Sequence, residues 1–383
     1  MTRQTNPYRP GFAQHPVLLA GRGTVIAGAS EALDVAALDG RMPRPLILVG
    51  VRGVGKTVAL NEISSLAAAE HSWVGVHVEV KPRTTFLPEL VERLADAERL
   101  LTQPPTAGRM QLTEARVRAG AFGVGGEAGF TRASASRPPA DAVEGALAAT
   151  TSAAIERTSG LVLTLDEVHL ATREDLAALT AALQRHVPDG WPIVVAVAGL
   201  PSLRDPRSSV TYLERGEWHE LGLLGPTDTL EALAQPASLA GRPMDSAAAD
   251  LLAAASGGYP YAIQVVGHHA WRASSGSSTI TAAHARRAMT AAQADLAGGL
   301  YAGRWHDTSS KQRDYMAAMA AQLVEEGIVT HADVARRLGK APAALSYLRA
   351  RLLAKGTIFS DGPSLRFLVP GMAAWITETD GHR

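Results

Sequence analysis

PLILVGVRGVGKTVAL, residues 45–60, joins an apolar run to a glycine-rich turn and then to a helix-forming segment. Leu46–Val49 is apolar throughout, as expected of a strand buried on both faces. Residues 50–57 match the pattern G-x-x-x-x-G-K-S/T, and the apolar spacing that follows predicts a helix. Because strand, loop and helix occur in this order, the stretch predicts a phosphate-binding loop rather than a glycine-rich turn with a chance lysine.

The residue types of this loop suit the phosphates of ATP. Glycines let backbone N–H groups curl around an anion, and a helix N-terminus adds partial positive charge there. We expect Lys56 to act catalytically by reaching the β- and γ-phosphates, and the Thr57 hydroxyl to coordinate Mg²⁺. The predicted ATP contacts of this Walker A loop are Gly50, Val51, Arg52, Gly53, Val54, Gly55, Lys56, Thr57 and Val58.

The composition of the chain narrows the classes of protein it can belong to. With 383 residues, 46% hydrophobic and 19% charged, it is long enough for two or three folded domains. The net charge is zero, so bulk charge gives no argument for a nucleic-acid or membrane partner. The absence of cysteine excludes disulfides and cysteine-ligated zinc. Without a signal-peptide pattern or an apolar run of about 18 residues, a cytoplasmic protein is predicted.

Two carboxylates follow a second apolar run, residues 161–165. A buried parallel strand that ends at a phosphate site has this pattern, known as Walker B. We expect Asp166 to hold Mg²⁺ together with Thr57, and Glu167 to orient and polarise the attacking water. The alternative is an exposed acidic turn with no role in catalysis. His169 lies either near the γ-phosphate or in a packing role, and both readings stay open.

The other patterns in residues 1–225 complete an α/β P-loop NTPase core, a parallel sheet flanked by helices. Strands are predicted at 73–80, expected beside the first strand, and at 191–198. Helices are predicted at 24–38, 86–101, 141–157 and 176–187. Residues 103–140, glycine-rich between two proline pairs, are predicted to be an inserted hairpin or a mobile loop without assigned function.

After this core the strand patterns stop, and residues 226–306 predict an all-α lid that can move against the nucleotide. Its helices are expected at 228–235, 245–256, 259–273 and 280–296, with a turn of two glycines before Pro260. Just before the lid, Arg215 is a candidate catalytic residue that stabilises γ-phosphate charge, in cis or across a subunit interface. A surface salt bridge is the alternative reading of Arg215.

Residues 307–383 predict a winged-helix domain. A helix at 310–325 precedes a short helix capped by Thr330, a helix at 342–355 and a hairpin around 360–364. Between residues 309 and 370, nine Lys and Arg stand against five Asp and Glu, a balance of +4. Such a domain binds double-stranded DNA or docks a protein, and both remain open. The candidate DNA contacts are Ser346, Tyr347, Arg349, Arg351 and Arg366.

Together these motifs resemble the AAA+/STAND ATPases, and among them the AAA_16 family, relatives of origin-recognition and archaeal ATPases. The resemblance spans nearly the whole chain apart from residues 103–140. It implies that residues 19–22 pack on the adenine and that residues 199–201 end the strand sensing the γ-phosphate. It also implies that Arg215 matches an arginine that relatives carry before the lid, and that Pro260 belongs to a nucleotide-contacting G-x-P turn.

Two departures from the family pattern bear on function: the sensing strand ends without a polar side chain, and residues 257–262 of the lid contain no arginine. They favour a STAND-type ATPase acting as a nucleotide-dependent switch, whose slow Mg²⁺-dependent hydrolysis of ATP controls a winged helix that binds DNA or a partner. A replication-initiator-like DNA-binding ATPase and an ATP-binding scaffold without turnover are the alternatives. Candidate partners besides ATP are DNA, another protein and a second copy of the chain, with no membrane.

Overall fold

The computed structural model describes residues 5–11, 14–103, 140–204 and 211–380. Apart from its two end residues, the insertion predicted as a hairpin or mobile loop at 103–140 lies outside these residues. The described chain divides into two compact units. The first, here the α/β unit, comprises Arg22–Gly50 and Lys56–Leu221; the second, the helical unit, comprises Met1–Gly21, Val51–Gly55 and Gly222–Arg383. No helix among the described residues is long and apolar enough to span a membrane.

A parallel sheet of five strands lies at the centre of the α/β unit, as the sequence predicts. Its strands are β1 Leu46–Val49, β2 Val74–Glu79, β3 Leu161–Asp166, β4 Ile193–Gly199 and β5 Glu217–Glu220. Their order is β2-β3-β4-β1-β5, and every neighbouring pair is parallel. Strands β1, β3 and β4 are buried at every residue, because each has a neighbour on both sides and helices over both faces.

Two features of the sheet differ from the prediction. The prediction that strand 73–80 lies beside β1 is wrong, because β2 pairs with β3 at the edge of the sheet. Polar residues alternate with apolar ones along β2, which is typical of a strand with one less buried face and does not specify the neighbouring strand. Strand β5 was not predicted, since Trp218 is its only apolar residue. Backbone bonds add it to β1, from Glu217 N to Pro45 O at 2.8 Å and from Leu221 N to Val49 O at 2.7 Å.

The helices predicted for the α/β unit are present. They are α1 Gly23–Leu38, α2 Lys56–His71, α3 Leu87–Thr102, α4 Ala140–Glu156 and α5 Arg173–Arg185. The single helical turn α6 Thr211–Glu214 was not predicted. Helix α5 begins three residues earlier than predicted because Thr172 caps it and accepts from Asp175 N at 3.1 Å. Helix α3 buries Leu87, Leu90 and Leu94 against the sheet at helical spacing.

The helical unit contains the four lid helices that the sequence predicts and the elements that follow them. The helices are α7 Pro226–Leu239, α8 Ser246–Ser256, α9 Pro260–Ala273, α10 Ala282–Leu296, α11 Ala302–His306, α12 Ser310–Glu326, α13 His331–Arg337, α14 Pro342–Ala354 and α15 Met372–Asp380. The predicted hairpin is an antiparallel pair, β6 Ile358–Asp361 and β7 Ser364–Phe367. Helices α11 and α15, and a π-helical turn at Ala297–Tyr301, were not predicted.

One hydrophobic core runs through the helical unit. It joins lid residues such as Leu233 and Ile263 to Tyr315 of α12 and Leu352 of α14, all at most 1% exposed. Tyr8 lies in the same core, and its hydroxyl donates to the Leu233 carbonyl. The N-terminal segment, the lid and the C-terminal elements therefore fold as one body rather than as separately packed pieces.

Candidate functional site

Lys56, the catalytic lysine predicted from the sequence, is the first residue of α2 and only 6% exposed. Its Nζ donates to Gly50 O at 3.0 Å, and Gly50 N donates to Gly199 O at 3.2 Å. These bonds tie the residue after β1 to the end of β4. They hold the ammonium group at the carboxyl edge of the sheet and at a helix N-terminus, two features that favour an anion.

Thr57 and Asp166, the two residues predicted to hold Mg²⁺, are in direct contact. The Thr57 hydroxyl donates to Asp166 Oδ2 at 2.5 Å, and the backbone N–H of Glu167 donates to Asp166 Oδ1 at 2.7 Å. Asp166 ends β3 and is 3% exposed. A hydroxyl and a carboxylate side by side suit Mg²⁺, which takes one or two protein oxygens and completes its shell with water and phosphate. No cluster of three or more His, Cys, Asp or Glu that could cage a metal occurs in the described chain.

Glu167, the predicted catalytic carboxylate, follows Asp166 in a left-handed backbone conformation with φ +53°. This conformation is uncommon for a residue other than glycine and occurs often at functional sites. Glu167 Oε2 lies 3.3 Å from Nδ1 of His169, and the same nitrogen accepts from Leu200 N at 3.3 Å. The imidazole of His169 therefore stands at the end of β4, where the predicted sensing strand lacks a polar side chain.

The close approach of these segments depends on Gly199, the last residue of β4. A Cβ atom at position 199 would lie 3.3 Å from His169 N, tighter than an ordinary van der Waals contact. The turn after β3 and the end of β4 are thus packed directly on one another. This packing places the turn that carries Glu167 and His169 against the end of β4.

His77 of β2, which the sequence analysis did not single out, lies next to the strand that carries Asp166. Its Nδ1 lies 2.9 Å from Thr164 Oγ1 on β3, two residues before Asp166. Burial lowers the pKa of His77, and the negative charge of Asp166 opposes that shift. In the sequence, His77 shows only as a polar residue in the alternating pattern of β2. That pattern does not indicate which strand lies next to β2.

In the helical unit, loop residues 51–55 pack against the start of α9. The Tyr259 hydroxyl donates to Arg52 O at 3.1 Å, and a Cβ atom at position 53 would lie 1.8 Å from that hydroxyl oxygen. Gly53 also has φ +83°, so only glycine fits there. Pro260, predicted to contact nucleotide, is half-buried and directly follows Tyr259. Arg304, which the sequence did not indicate, reaches the same carbonyl of Arg52 at 3.4 Å.

Arg215 and Lys56 lie at opposite edges of the sheet in the α/β unit. Arg215 is exposed in the turn before β5, and Glu217 at the start of β5 pairs in parallel with Leu46 at the start of β1. Lys56 follows the opposite, carboxyl end of β1, roughly 13 Å away along the strand. This placement argues against a contact between Arg215 and the nucleotide of its own chain. A role across a subunit interface remains a prediction.

Four of the five candidate DNA contacts are exposed in the helical unit: Ser346, Tyr347, Arg351 and Arg366. Tyr347 is 64% exposed, and Arg351 lies over its ring at 5.1 Å while its Nε donates to the tyrosine hydroxyl at 2.8 Å. Arg349 is half-buried with its guanidinium 3.5 Å from Ser360 Oγ, so it is less available than predicted.

Ion pairs neutralise part of the positive charge in residues 309–370. Arg337 pairs with Glu325 at 2.6 Å, Arg366 pairs with Asp361 at 2.9 Å, and Arg336 pairs with Asp333. The described structure shows no ion pair for a second set, which is Lys311, Arg313, Lys340, Arg349 and Arg351. The positive charge that remains available for an anionic partner therefore includes the exposed Arg351 of α14, whereas Arg349 is half-buried.

Comparison with protein families assigns two segments of the chain. Residues 18–196 match the AAA ATPase domain of the AAA_16 family. This segment contains the phosphate loop, Asp166 and Glu167. Residues 298–376 match a domain of unknown function, DUF8462. No curated protein matches the sequence.

Solved structures similar to this chain share its fold at low identity. One is a Walker-type ATPase of Pyrococcus abyssi, 14% identical with a TM-score of 0.58, covering 94% of this chain and 96% of that one. Another is Cdc6p from Pyrobaculum aerophilum, 14% identical with a TM-score of 0.50, covering 97% of each chain. At such identity the likeness concerns the fold alone.

Proposed function

We propose that the protein is a Mg²⁺-dependent ATPase acting as a nucleotide-controlled switch, since residues 18–196 match the AAA ATPase domain. The observation that carries this proposal is the gathering of Lys56, Thr57 and Asp166 at the carboxyl edge of one parallel sheet. Ligands of open α/β sheets bind at this edge. The cytoplasm is the compartment we propose for this activity.

Each side chain has a role in the proposed reaction. The loop amides and the Lys56 ammonium bind the phosphates, with the ammonium exchanging its bond to Gly50 O for the phosphate oxygens. Thr57 and Asp166 would hold Mg²⁺, which supplies charge neutralisation on the phosphates when bound. Glu167 orients the attacking water and polarises it, and the imidazole of His169 lies beside this carboxylate, with its Nδ1 3.3 Å from Glu167 Oε2.

Slow turnover is part of the proposal. The residue after β4 is Leu200, so the end of the sensing strand offers the imidazole of His169 instead of a polar side chain of its own. The lid turn at residues 257–262 contains no arginine that could stabilise the transition state from there. With slow hydrolysis, the ATP-bound state lasts long enough for the C-terminal part of the chain to bind its partner before ADP forms.

The C-terminal elements supply the output of the switch in this proposal. Helices α12, α13 and α14 followed by the β6–β7 hairpin have the order of a winged helix. The exposed pair Tyr347 and Arg351 on α14 offers an aromatic ring and a positive charge, which suits double-stranded DNA. An ATP-binding scaffold without turnover is the second candidate, favoured by the same missing sensor residues.

Phosphate release measured with and without double-stranded DNA, combined with size-exclusion chromatography in ATP and in ADP, tests the proposal. We expect slow hydrolysis that requires Mg²⁺, and an elution volume that differs between the two nucleotides. ATP binding without phosphate release under any of these conditions would support the scaffold instead. Absence of nucleotide binding would contradict both candidates.

The DNA contact can be tested separately with substitutions on α14. We expect Arg351→Ala to weaken duplex DNA binding about five- to tenfold and to lower the salt slope of log K by about one. Fluorescence anisotropy over a range of salt concentrations measures both quantities. Arg337→Ala is the matched control, because Arg337 is already paired with Glu325 at 2.6 Å. We expect this substitution to leave the affinity for DNA unchanged. Equal DNA affinity for wild type and Arg351→Ala would argue for a protein-docking role.

A further inference from the structure

Arg304 of α11 donates hydrogen bonds to three neutral oxygen atoms. Its Nη1 lies 2.6 Å from Gly356 O, and its Nη2 lies 3.2 Å from the Tyr259 hydroxyl and 3.4 Å from Arg52 O. The three acceptors belong to the C-terminal elements, the lid turn and the phosphate loop. All of these residues lie in the helical unit. One guanidinium therefore joins three segments that are far apart in the sequence.

Among the described residues, no carboxylate forms an ion pair with Arg304. Burial lowers the pKa of Arg304, the Tyr259 hydroxyl raises it, and the positive charge of Arg52 lowers it again. A partly desolvated cation that faces only neutral acceptors gains from an anion placed nearby. The polyphosphate that the adjacent loop is proposed to bind is such an anion.

The hydrogen bonds of Arg304 and Tyr259 act on one peptide group of the loop. Both side chains donate to the carbonyl of Arg52, and the N–H on the other side of that peptide bond belongs to Gly53. Donors on a carbonyl polarise the peptide group and strengthen its N–H as a donor. Backbone N–H groups of such a loop are the groups that bind phosphate. The two side chains thus orient a phosphate-binding amide from its far side.

Close packing around two glycines restrains the contact between the phosphate loop, Tyr259 and Gly356. The absent Cβ of Gly53 makes room for the Tyr259 hydroxyl, as described above, and the absent Cβ of Gly356 makes room for Val51. A Cβ atom at position 356 would lie 2.9 Å from Val51 Cβ, and Gly356 has φ +63°. The residue that accepts from Arg304 therefore also packs on the phosphate loop. Residues 304 and 356 both fall in the segment of unknown function, 298–376.

We propose that Arg304 is a positioning residue that preorganises the phosphate loop, so that the affinity for the phosphates of ATP or ADP depends on the C-terminal segment 298–376. This inference rests on the proposed nucleotide binding by residues 50–57. The coupling is reciprocal: a bound polyphosphate stabilises the placement of Arg304 against Gly356, and release of the phosphates loosens it. The segment of unknown function thereby takes part in nucleotide binding without touching the nucleotide.

Calorimetric titration of the full chain with MgATP and MgADP, together with steady-state ATPase kinetics, tests the proposal. We expect Arg304→Gln to weaken binding of both nucleotides about tenfold, since it removes a charged donor to the loop. KM is expected to rise while kcat stays within about threefold, because Arg304 does not touch the reacting atoms. Arg304→Lys keeps the charge but loses the forked geometry, and it is expected to give an intermediate affinity.

Arg313→Gln is the matched control. Arg313 also donates to a backbone carbonyl, from its Nε to Trp305 O at 3.1 Å, and makes no contact with the loop. We expect Arg313→Gln to bind nucleotide like the wild type. Its change in melting temperature is expected to be similar to that of Arg304→Gln. An Arg304→Gln protein that binds MgATP within twofold of wild type, or that loses kcat at unchanged KM, would overturn the inference while the proposed function stands.

Tyr259→Phe tests the proposed positioning of the loop if Arg304→Gln fails to fold. It removes one hydroxyl that donates to Arg52 O and accepts from Arg304, and we expect about threefold weaker MgATP binding. Equal affinity of Tyr259→Phe and wild type would then overturn the inference. A wild-type chain that binds no MgATP would instead overturn the proposed function, and the role of Arg304 with it.

Discussion

Lys56→Ala is expected to weaken MgATP binding by about a hundredfold or more, because it removes the charged donor of the phosphate loop. The ammonium is buried and bonded to Gly50 O at 3.0 Å, so it also closes the two ends of the loop. Alanine can neither hold that closure nor neutralise the charge of the phosphates. Calorimetric titration with MgATP measures the affinity, and a thermal melt without nucleotide checks that the variant is folded.

Lys81→Ala is the control for this experiment. Lys81 is 66% exposed and lies 3.8 Å from Glu89, and a surface pair of this kind contributes little to stability. We expect its MgATP affinity to equal that of the wild type. Equal affinity of Lys56→Ala and wild type would contradict nucleotide binding at this loop, and the switch mechanism depends on that binding.

Glu167→Gln is expected to lower kcat for ATP hydrolysis about a hundredfold or more while MgATP affinity changes less than about threefold. The amide has the shape of the carboxylate but cannot accept a proton from water. Glutamate and glutamine have the same cost in the left-handed backbone conformation of position 167, φ +53°, so the substitution adds no backbone strain. Asp166, which is bonded to Thr57, is untouched and keeps the proposed Mg²⁺ ligands in place.

Single-turnover phosphate release and calorimetry on the same preparation separate the chemical step from binding. The control is Glu174→Gln, an exposed carboxylate in the first turn of α5, which we expect to leave kcat unchanged. Unchanged turnover in Glu167→Gln would place the catalytic base elsewhere. Loss of binding together with turnover would mean that Glu167 supports the structure of the site rather than the reaction.

The sequence predicted the parts of the site that depend on local chain geometry. A loop that follows a buried strand and precedes a helix always lies at the carboxyl edge of a parallel sheet, and Lys56 is there. Asp166 ends another buried parallel strand and must reach the same edge if the two strands share a sheet. The contact of 2.5 Å between Thr57 and Asp166 therefore follows from two local patterns and one topological rule.

The strand order was predicted wrongly for β2, and β5 was not predicted, because both depend on pairing between distant residues. Hydrophobic patterns indicate how many sides of a strand are covered, but they do not name the neighbour. The alternation along β2 reports that one of its faces is less buried, whereas its edge position appears only in the strand pairing. Strand β5 has almost no apolar signal and exists through backbone bonds to β1.

The sequence by itself determined the phosphate loop, the two carboxylates at the end of β3 and the mostly helical character of the chain beyond residue 222. These features are read from residues within one turn or one strand of each other. Only the tertiary structure decided that Arg215 lies at the opposite edge of the sheet and that Arg304, 252 residues after Arg52, reaches the loop carbonyl. Contacts of that kind depend on how packed helices place their side chains, and no local periodicity encodes them.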